Sequence, residues 1–280
     1  MKYAGFYGSM GGIMEVFLTE DGILEITVPG VEDYKETYLH QGDGIFTDSN
    51  GLVKVSFVKE TNDNTYIKVE GPGIYPGLGQ LYATQYNGQK IEPNPLSGQV
   101  AQAWEARDGK RYYVVDEKYT SQFYLAGLPA YEVALSDEMP GYMGVSRIES
   151  ADRTKAVSQI PGSLGRDLQE YRFFEEEGME YLSAGGSLAV SEDAVKDIYS
   201  GASSVCTIPE SGTAVWFGAG AAAGTTMTVT VPAEGAFTVY NASDLCVGAS
   251  GAGGSTVTVP DGGMIVFAGE PGQRFSISMK

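Results

Sequence analysis

A single histidine limits the catalytic chemistry that this sequence could support. The chain has 280 residues and one histidine, His40, so a His-based triad, a multi-histidine metal site and an HExxH zinc helix all lack partners. His40 stands just before the glycine turn Gly42–Gly44, where a polar strand-end residue is the ordinary explanation. We expect no catalytic role for it, because a useful base also needs an orienting acid and a pocket.

Two short motifs resemble catalytic or nucleotide-binding signatures but lie in the wrong context. Ser56 and Lys59 form an S-x-x-K pair, which works on adjacent helical turns, whereas both fall in an alternating run that predicts a strand. The segment 218–224 resembles a glycine-rich phosphate loop, yet strand-like Thr and Val residues follow it where a dinucleotide site needs a helix. We predict a β-loop there and no cofactor.

Carboxylates are the remaining candidates for bond-breaking chemistry. Four of them lie close together in the sequence: Glu105, Asp108, Asp116 and Glu117. They could pair as in glycoside hydrolases, but the sequence does not fix the required separation of about 5 or 6.5–9.5 Å. The acidic run 175–178 predicts the solvated tip of a hairpin rather than a calcium loop. A carboxylate-based hydrolase is therefore kept as an alternative function.

Cys206 and Cys246 are the two cysteines of the chain. With one histidine elsewhere they cannot make a four-ligand zinc site, and no metal is predicted. A disulfide between them would close a loop of about forty residues and contribute about 4 kcal/mol. Two buried free thiols are the alternative and the one we favour, because a domain of this size needs no covalent staple.

The composition describes a folded and strongly acidic protein. Lys and Arg number 18 against 36 Asp and Glu, which gives a formal net charge of −18. Such a surface repels phosphate backbones and anionic lipid, so nucleic-acid partners are not expected. Hydrophobic residues make up 42% and aromatic residues 11% of the chain, which excludes an acidic disordered tail. No apolar run approaches the roughly twenty residues of a membrane span.

Alternating apolar runs separated by turn residues predict an all-β fold with few short helices. The Asp21-Gly22 pair between two such runs is a strong hairpin signal. By residue 70 about six short strands form a meander, typical of a small antiparallel barrel. Helical spacing appears over 97–107, and a shorter helical passage over 191–198 begins like a capping box.

Three β units are predicted along the chain. Residues 1–92 form a barrel-like meander, and residues 93–205 form a second barrel-like unit with a short leading helix. The second unit includes strands over 111–115, 122–125 and 131–135. Residues 206–280 are rich in Gly, Thr and Val with turns about every ten residues, which predicts a β-sandwich.

Tyrosine supplies the candidate binding surface, since the chain has 18 tyrosines and many are closely spaced. Exposed aromatic rings on a β face can stack on sugars or dock a protein, although core packing accounts for most tyrosines. The candidate surface residues are Tyr82, Tyr86, Tyr112, Tyr113 and Trp104.

Three segments together resemble a known family. They are the segment Tyr3-Ala-Gly-Phe-Tyr7, which opens the meander, the segment 103–109 that follows Pro93-Asn94-Pro95, and the Gly/Thr/Val-rich tail that ends in residues 267–270. With them the chain resembles the region that follows the catalytic domain in exported bacterial serine hydrolases of the β-lactamase and penicillin-binding-protein-like class. The resemblance implies lipocalin-like barrels and a location outside the cytoplasm. Because the hydrolase motifs are missing, it assigns no catalytic residue.

We therefore interpret the chain as a non-catalytic accessory region. It would dock on a serine hydrolase domain or position that domain's cell-wall or carbohydrate substrate. Met1 stands directly before a predicted strand, without a visible signal peptide, so an upstream part is expected. The alternative is a free-standing cell-surface module that binds carbohydrate or protein through exposed tyrosines.

Overall fold

A computed structural model describes residues 2–9, 12–75, 79–117, 124, 127–135, 139–156, 170–250 and 256–280. Strands dominate these residues, and the helical content consists of one α-helix, α1 (Gly98–Glu105), and two single-turn 3-10 helices. The structure contains a closed eight-stranded barrel and a half-barrel, so the predicted all-β class with barrel-like units is confirmed.

The closed barrel is an up-and-down meander in which each strand pairs with its sequence neighbour and β1 pairs with β8. Its strands are β1 (Gly5–Ser9), β2 (Gly12–Leu18), β3 (Ile23–Thr27), β4 (Lys35–Gly42), β5 (Ile45–Thr47), β6 (Lys54–Lys59), β7 (Thr65–Tyr75) and β8 (Gly79–Ile91). Their limits fall inside the range 1–92 predicted for the first unit.

The barrel forms because apolar side chains alternate with polar ones along its strands. Val16 pairs with Ile26 across the hairpin that the Asp21-Gly22 turn closes, and both side chains are buried. Gly22 has φ +78°, which a residue with a Cβ rarely adopts. Tyr7, Leu24 and their neighbours fill the interior, so this barrel is a packed core.

The β7–β8 hairpin is longer than the barrel that holds it. The two strands pair from Tyr66 opposite Gln89 to Tyr75 opposite Gly79, with one register shift between Ile67 and Lys68. Among the described residues, β1 pairs with β8 only through residues 89–91. The hairpin therefore continues beyond the point where β1 closes the barrel.

The remaining strands belong to the half-barrel and to two further sheets. They are β9 (Arg111–Val114), β10 (Ala130–Glu132), β11 (Tyr142–Met143), β12 (Ser146–Ser150), β13 (Arg153–Ala156), β14 (Tyr171–Glu176), β15 (Met179–Ala184), β16 (Ser187–Ser191), β17 (Lys196–Asp197), β18 (Ser203–Thr207), β19 (Ala214–Gly218), β20 (Thr226–Thr230), β21 (Ala236–Tyr240), β22 (Cys246–Ala249), β23 (Thr256–Thr258), β24 (Met264–Ala268) and β25 (Arg274–Met279).

The chain divides into two compact units that do not follow its sequence order. Unit 1 comprises residues 1–108 and 134–171, and unit 2 comprises residues 109–133 and 172–280. The boundaries predicted at 92/93 and 205/206 stay predictions.

Unit 2 contains two sheets packed face to face. One sheet has the strand order β17-β19-β24-β21-β22 and the other β18-β25-β20-β23. Phe237, Phe267 and Phe275 lie fully buried between the two sheets. The Thr/Val alternation of the C-terminal region produces this sandwich, because every second side chain faces the opposite sheet.

Two predicted local elements differ in length from the structure. Helix α1 covers most of the predicted segment 97–107, with Ser97 as its N-cap. The helical passage predicted over 191–198 is a single 3-10 turn, Glu192–Ala194, followed by β17. The predicted strand over 122–125 lies outside the described residues, except for Tyr124.

Candidate functional site

The candidate site is a half-open cleft of about 210 Å³ in unit 2. We call it the apolar cleft, because most of the side chains that line it are hydrophobic. It lies between one face of the β9, β15 and β16 strands and the face of the β19 sheet that is turned away from the sandwich core.

Strands β9, β15 and β16 supply one wall. Tyr181 pairs with Val190, and Val190 pairs in turn with Tyr113, so the side chains of these residues share a face. Met179 lies two residues before Tyr181 on the same face. Met179, Tyr181 and Val190 line the cleft together with Val115, which follows β9.

Strand β19 supplies the opposite wall through Ala214 and Trp216. Trp216 is held firmly, since its Nε1 donates a hydrogen bond to the Val114 carbonyl at 2.7 Å. Its ring lies 5.1 Å from that of Tyr113 and is stacked on Tyr240 at 5.9 Å between centroids. A tryptophan fixed on several sides presents a rigid edge to the cleft.

The mouth of the cleft carries its polar groups. Glu177 and Ser211 are exposed and line the opening. Glu177 and Gly178 both have positive φ, 53° and 77°, and form the two-residue turn between β14 and β15, the geometry of a tight hairpin. The acidic run 175–178 is thus a hairpin tip, as predicted, and it places one carboxylate beside an apolar wall.

Tyr82 and Tyr86, two of the five predicted surface residues, are exposed. The Tyr82 side chain is 64% exposed on the β7–β8 hairpin. Tyr86 stacks on Tyr66 at 4.9 Å and donates a hydrogen bond to Glu60, which raises the pKa of its hydroxyl. These two tyrosines stay candidates for a docking surface.

Trp104, Tyr112 and Tyr113 are core residues, which corrects the prediction that they form a surface. Trp104 is the fully buried residue of α1, and its Nε1 donates to the Ser150 carbonyl at 2.8 Å. Tyr112 is fully buried and donates to Glu180 Oε2 at 2.6 Å. Tyr113 packs on Trp216. Strand alternation and helical spacing show which side chains share a face, but they do not show whether that face is covered by another part of the chain. An aromatic residue on such a face can therefore be predicted either as a core residue or as a surface residue.

Both cysteines are free thiols in the structure, so the disulfide alternative is not realised. Cys206 is buried in the sandwich core, where desolvation raises the pKa of its thiol to about 12. Cys246 is half-buried and packs against the cluster around Trp216. The free-thiol alternative described both as buried, whereas only Cys206 is.

The carboxylates suggested for hydrolysis do not meet in the cleft. Glu177 is its one acidic lining residue among those described, so no carboxylate pair lines it. Asp108 instead accepts a hydrogen bond from the Leu135 N–H at 2.9 Å, as a loop residue of unit 1. Burial raises the pKa of the Asp116 carboxyl in unit 2.

The glycine-rich segment 218–224 lies against an exposed carboxylate. It contains the 3-10 turn Gly220–Ala222 and packs against Asp197 of β17. A Cβ at Gly218 would lie 2.8 Å from Asp197 Oδ1, and one at Gly220 would overlap the same carboxylate. These two glycines are thus explained by close approach of a protein side chain.

Sequence reasoning missed Met179, Tyr181 and Trp216 as site residues. Each of them follows the alternation of an ordinary strand residue. The cleft forms only where two sheets that are distant in sequence pack together and leave a space between them. The one local signal in the sequence was a methionine, Met179, directly after an acidic turn.

Comparison with known proteins identifies no relative. No protein-family model, no curated protein and no solved structure matches the chain. Its class is therefore defined by the all-β fold with a closed barrel and by the apolar cleft. No helix in the described part of the chain has the length and hydropathy to cross a membrane.

Proposed function

We propose that this chain is a non-catalytic binding region whose apolar cleft holds a small hydrophobic group. The observation that carries the proposal is the cleft itself, a preformed opening of about 210 Å³ with apolar walls and polar groups confined to its mouth. Ligand sites combine these features, in that apolar walls supply affinity and a few polar groups supply orientation.

The volume of the cleft defines the size of the ligand. Drug-sized pockets measure about 300–1,000 Å³, so this cleft is too small for a dinucleotide or a flavin. A dry cavity of about 150 Å³ binds benzene. A single ring or a chain of a few carbons therefore fits the space.

The accessory role follows from this proposal together with the family resemblance. A binding region of this kind would act beside an exported serine hydrolase domain, outside the cytoplasm. It would bind part of that domain's substrate or dock on the surface of the domain. The chemistry of the cleft agrees with a binding role, because Glu177 is the one carboxylate among the described residues of its lining, so no carboxylate pair stands ready for hydrolysis there.

A second candidate function is a surface module that docks through the β7–β8 hairpin. The hairpin exposes Tyr82 and Tyr86, at 64% and 37%. These tyrosines are four residues apart on β8, so their rings lie on the same face of the strand, and exposed aromatic rings on one face can dock a partner. Loss of a pull-down interaction in Tyr82→Ser, with cleft binding intact, would assign docking to the hairpin.

Titration with n-hexanol tests the cleft. The chain has two tryptophans, so the indole N–H signal of Trp216 is assigned by its loss in Trp216→Phe. We expect n-hexanol to shift this signal and the Met179 methyl signal saturably. Ala194→Phe, which places a ring at a cleft-lining position, is expected to weaken binding at least about tenfold, the effect of losing a buried group of roughly two methylenes.

Ala221→Phe is the matched control, because Ala221 is exposed on the other 3-10 turn and does not line the cleft. It should bind n-hexanol like the parent protein. Binding that survives Ala194→Phe unchanged, or an absence of any saturable shift in the parent protein, would overturn the proposed function.

A further inference from the structure

The charge around the apolar cleft defines its ligand more narrowly, and the following inference rests on the proposed binding function. Glu177 is the acidic residue in the lining, and no salt bridge engages it within the described part of the chain. A carboxylate beside an apolar wall favours a ligand that joins a hydrocarbon to a cation.

The charged residues that neighbour the lining in the sequence are mainly acidic. Glu176 precedes Glu177, Asp116 follows Val115, and Glu210 lies between the lining residues Pro209 and Ser211. Two further acidic neighbours already have partners, since Glu180 accepts a hydrogen bond from Tyr112 and Asp193 is paired with Lys110. Lys196, exposed on β17, is the basic neighbour among the described residues. Acidic residues therefore outnumber basic ones in and beside the described lining.

The negative charge of these residues also affects the Tyr181 side chain. Burial raises the pKa of its hydroxyl, and the negative charges of Glu176 and Glu177 raise it further. Glu177 and Tyr181 line the same cleft, so this carboxylate and the hydroxyl border one space. A cation placed beside Tyr181 would experience the same field with the opposite, favourable sign.

The Tyr181 ring adds a second source of attraction for a cation, because organic ammonium ions bind the faces of aromatic rings. It lines the cleft and is held in place by stacking on Phe174, with centroids 5.6 Å apart and planes 18° from parallel. Trp216 on the opposite wall presents its edge and serves as apolar surface for the hydrocarbon chain.

We propose that the apolar cleft selects a free alkylammonium ion, with its hydrocarbon chain between Met179 and Trp216 and its ammonium group at Glu177. The small volume of about 210 Å³ favours a small amine held whole over a segment of a protein. The formal net charge of −18 further favours encounter with cations over anions.

Three ligands with the same six-carbon chain test this proposal: n-hexylammonium, n-hexanol and n-hexanoate. With the Trp216 indole signal as the readout at low salt, we expect n-hexylammonium to bind tightest and n-hexanoate weakest. Glu177→Gln should weaken n-hexylammonium about two- to fivefold, the range for an exposed ion pair, and leave n-hexanol unchanged.

Glu234→Gln is the matched control. Glu234 also occupies a turn with positive φ, 62°, but it lies outside the cleft lining. This variant should bind all three ligands like the parent protein. Because both residues are exposed glutamates in similar turns, a general loss of stability would affect the two variants alike.

The outcomes separate the two proposals. If n-hexanol and the other two ligands all fail to bind, the proposed function itself is wrong. If n-hexanol binds but n-hexylammonium binds no better, or if Glu177→Gln has no effect, cation selection is wrong and the apolar cleft remains. Tighter binding of N-acetyl-lysine amide than of n-hexylammonium would show that the ligand is a protein-borne lysine and overturn the free-amine assignment.

Discussion

Single glycines in this protein are required where a side chain lies against the backbone. Gly220, with φ +45°, lies under the Asp197 carboxylate, whereas Gly224, with φ +80°, has open space where a Cβ would be. Both residues need left-handed backbone, but only Gly220 also needs the absence of a side chain. The sequence showed a glycine cluster and could not show which of its members a distant carboxylate covers.

Alanine at these two glycines separates the two requirements. Gly224→Ala should cost about 1 kcal/mol through backbone strain alone. Gly220→Ala should cost roughly 1–3 kcal/mol more, since its methyl group overlaps Asp197. Urea unfolding measures both changes, and Asp197→Ala should narrow the gap between them. Equal costs for the two variants would contradict the close packing on Asp197.

At the scale of elements, local sequence patterns predicted the turns and helix starts, which depend on interactions between residues close in sequence. The Asp21-Gly22 hairpin and the helix that begins after Ser97 both form, since turn chemistry and helical spacing act over a few residues. Contacts between elements that are distant in the chain could not be predicted from the sequence. Residues 92–95 look like a linker, yet Asn94 binds β12, because its Nδ2 donates to the Ile148 carbonyl at 2.8 Å.

Asn94 therefore acts as a clamp within unit 1, and its removal tests this role. Its Oδ1 also accepts a hydrogen bond from Arg147 at 2.9 Å. Asn94→Ala should lower the free energy of unfolding by about 1–3 kcal/mol, because the Ile148 carbonyl loses its donor. Asn87→Ala removes an exposed asparagine of β8 and should change stability by less than about 0.5 kcal/mol. Similar values in thermal or urea unfolding would exclude the clamp.

At the scale of the whole molecule, residues 109–133 and the C-terminal sandwich depend on each other. Arg111 makes a two-pronged ion pair with Asp244 at 3.0 Å, and the Tyr240 hydroxyl donates to the Tyr124 carbonyl at 2.6 Å. Tyr124 and Tyr240 belong with Trp216 to one buried cluster, and the Arg111–Asp244 pair is partly exposed. Long-range pairing of this kind has no local signature, which is why the sequence suggested a boundary at 205/206 without showing what crosses it.

Expression of residues 206–280 alone tests that dependence. The fragment would expose Trp216, Tyr240 and Val266, which are all buried in the full chain. We expect it to aggregate or to unfold without cooperativity, because a contiguous apolar face of this kind lacks its cover. The full chain is the control. A soluble fragment with a sharp thermal transition and shifted, well-dispersed side-chain signals would show that the sandwich is self-sufficient.

The length of β8 also bears on how molecules behave when they are crowded together. Its outer residues 79–84 run beyond the three positions that pair with β1, and no described strand pairs with their outer side, so their main-chain groups offer a template to a neighbouring strand. At neutral pH the mutual repulsion of molecules with a net charge of −18 keeps such edges apart. Acidification toward the range near pH 4, in which carboxyl groups gain protons, removes that repulsion. We then expect the exposed edges of β8 in two molecules to pair and the protein to associate.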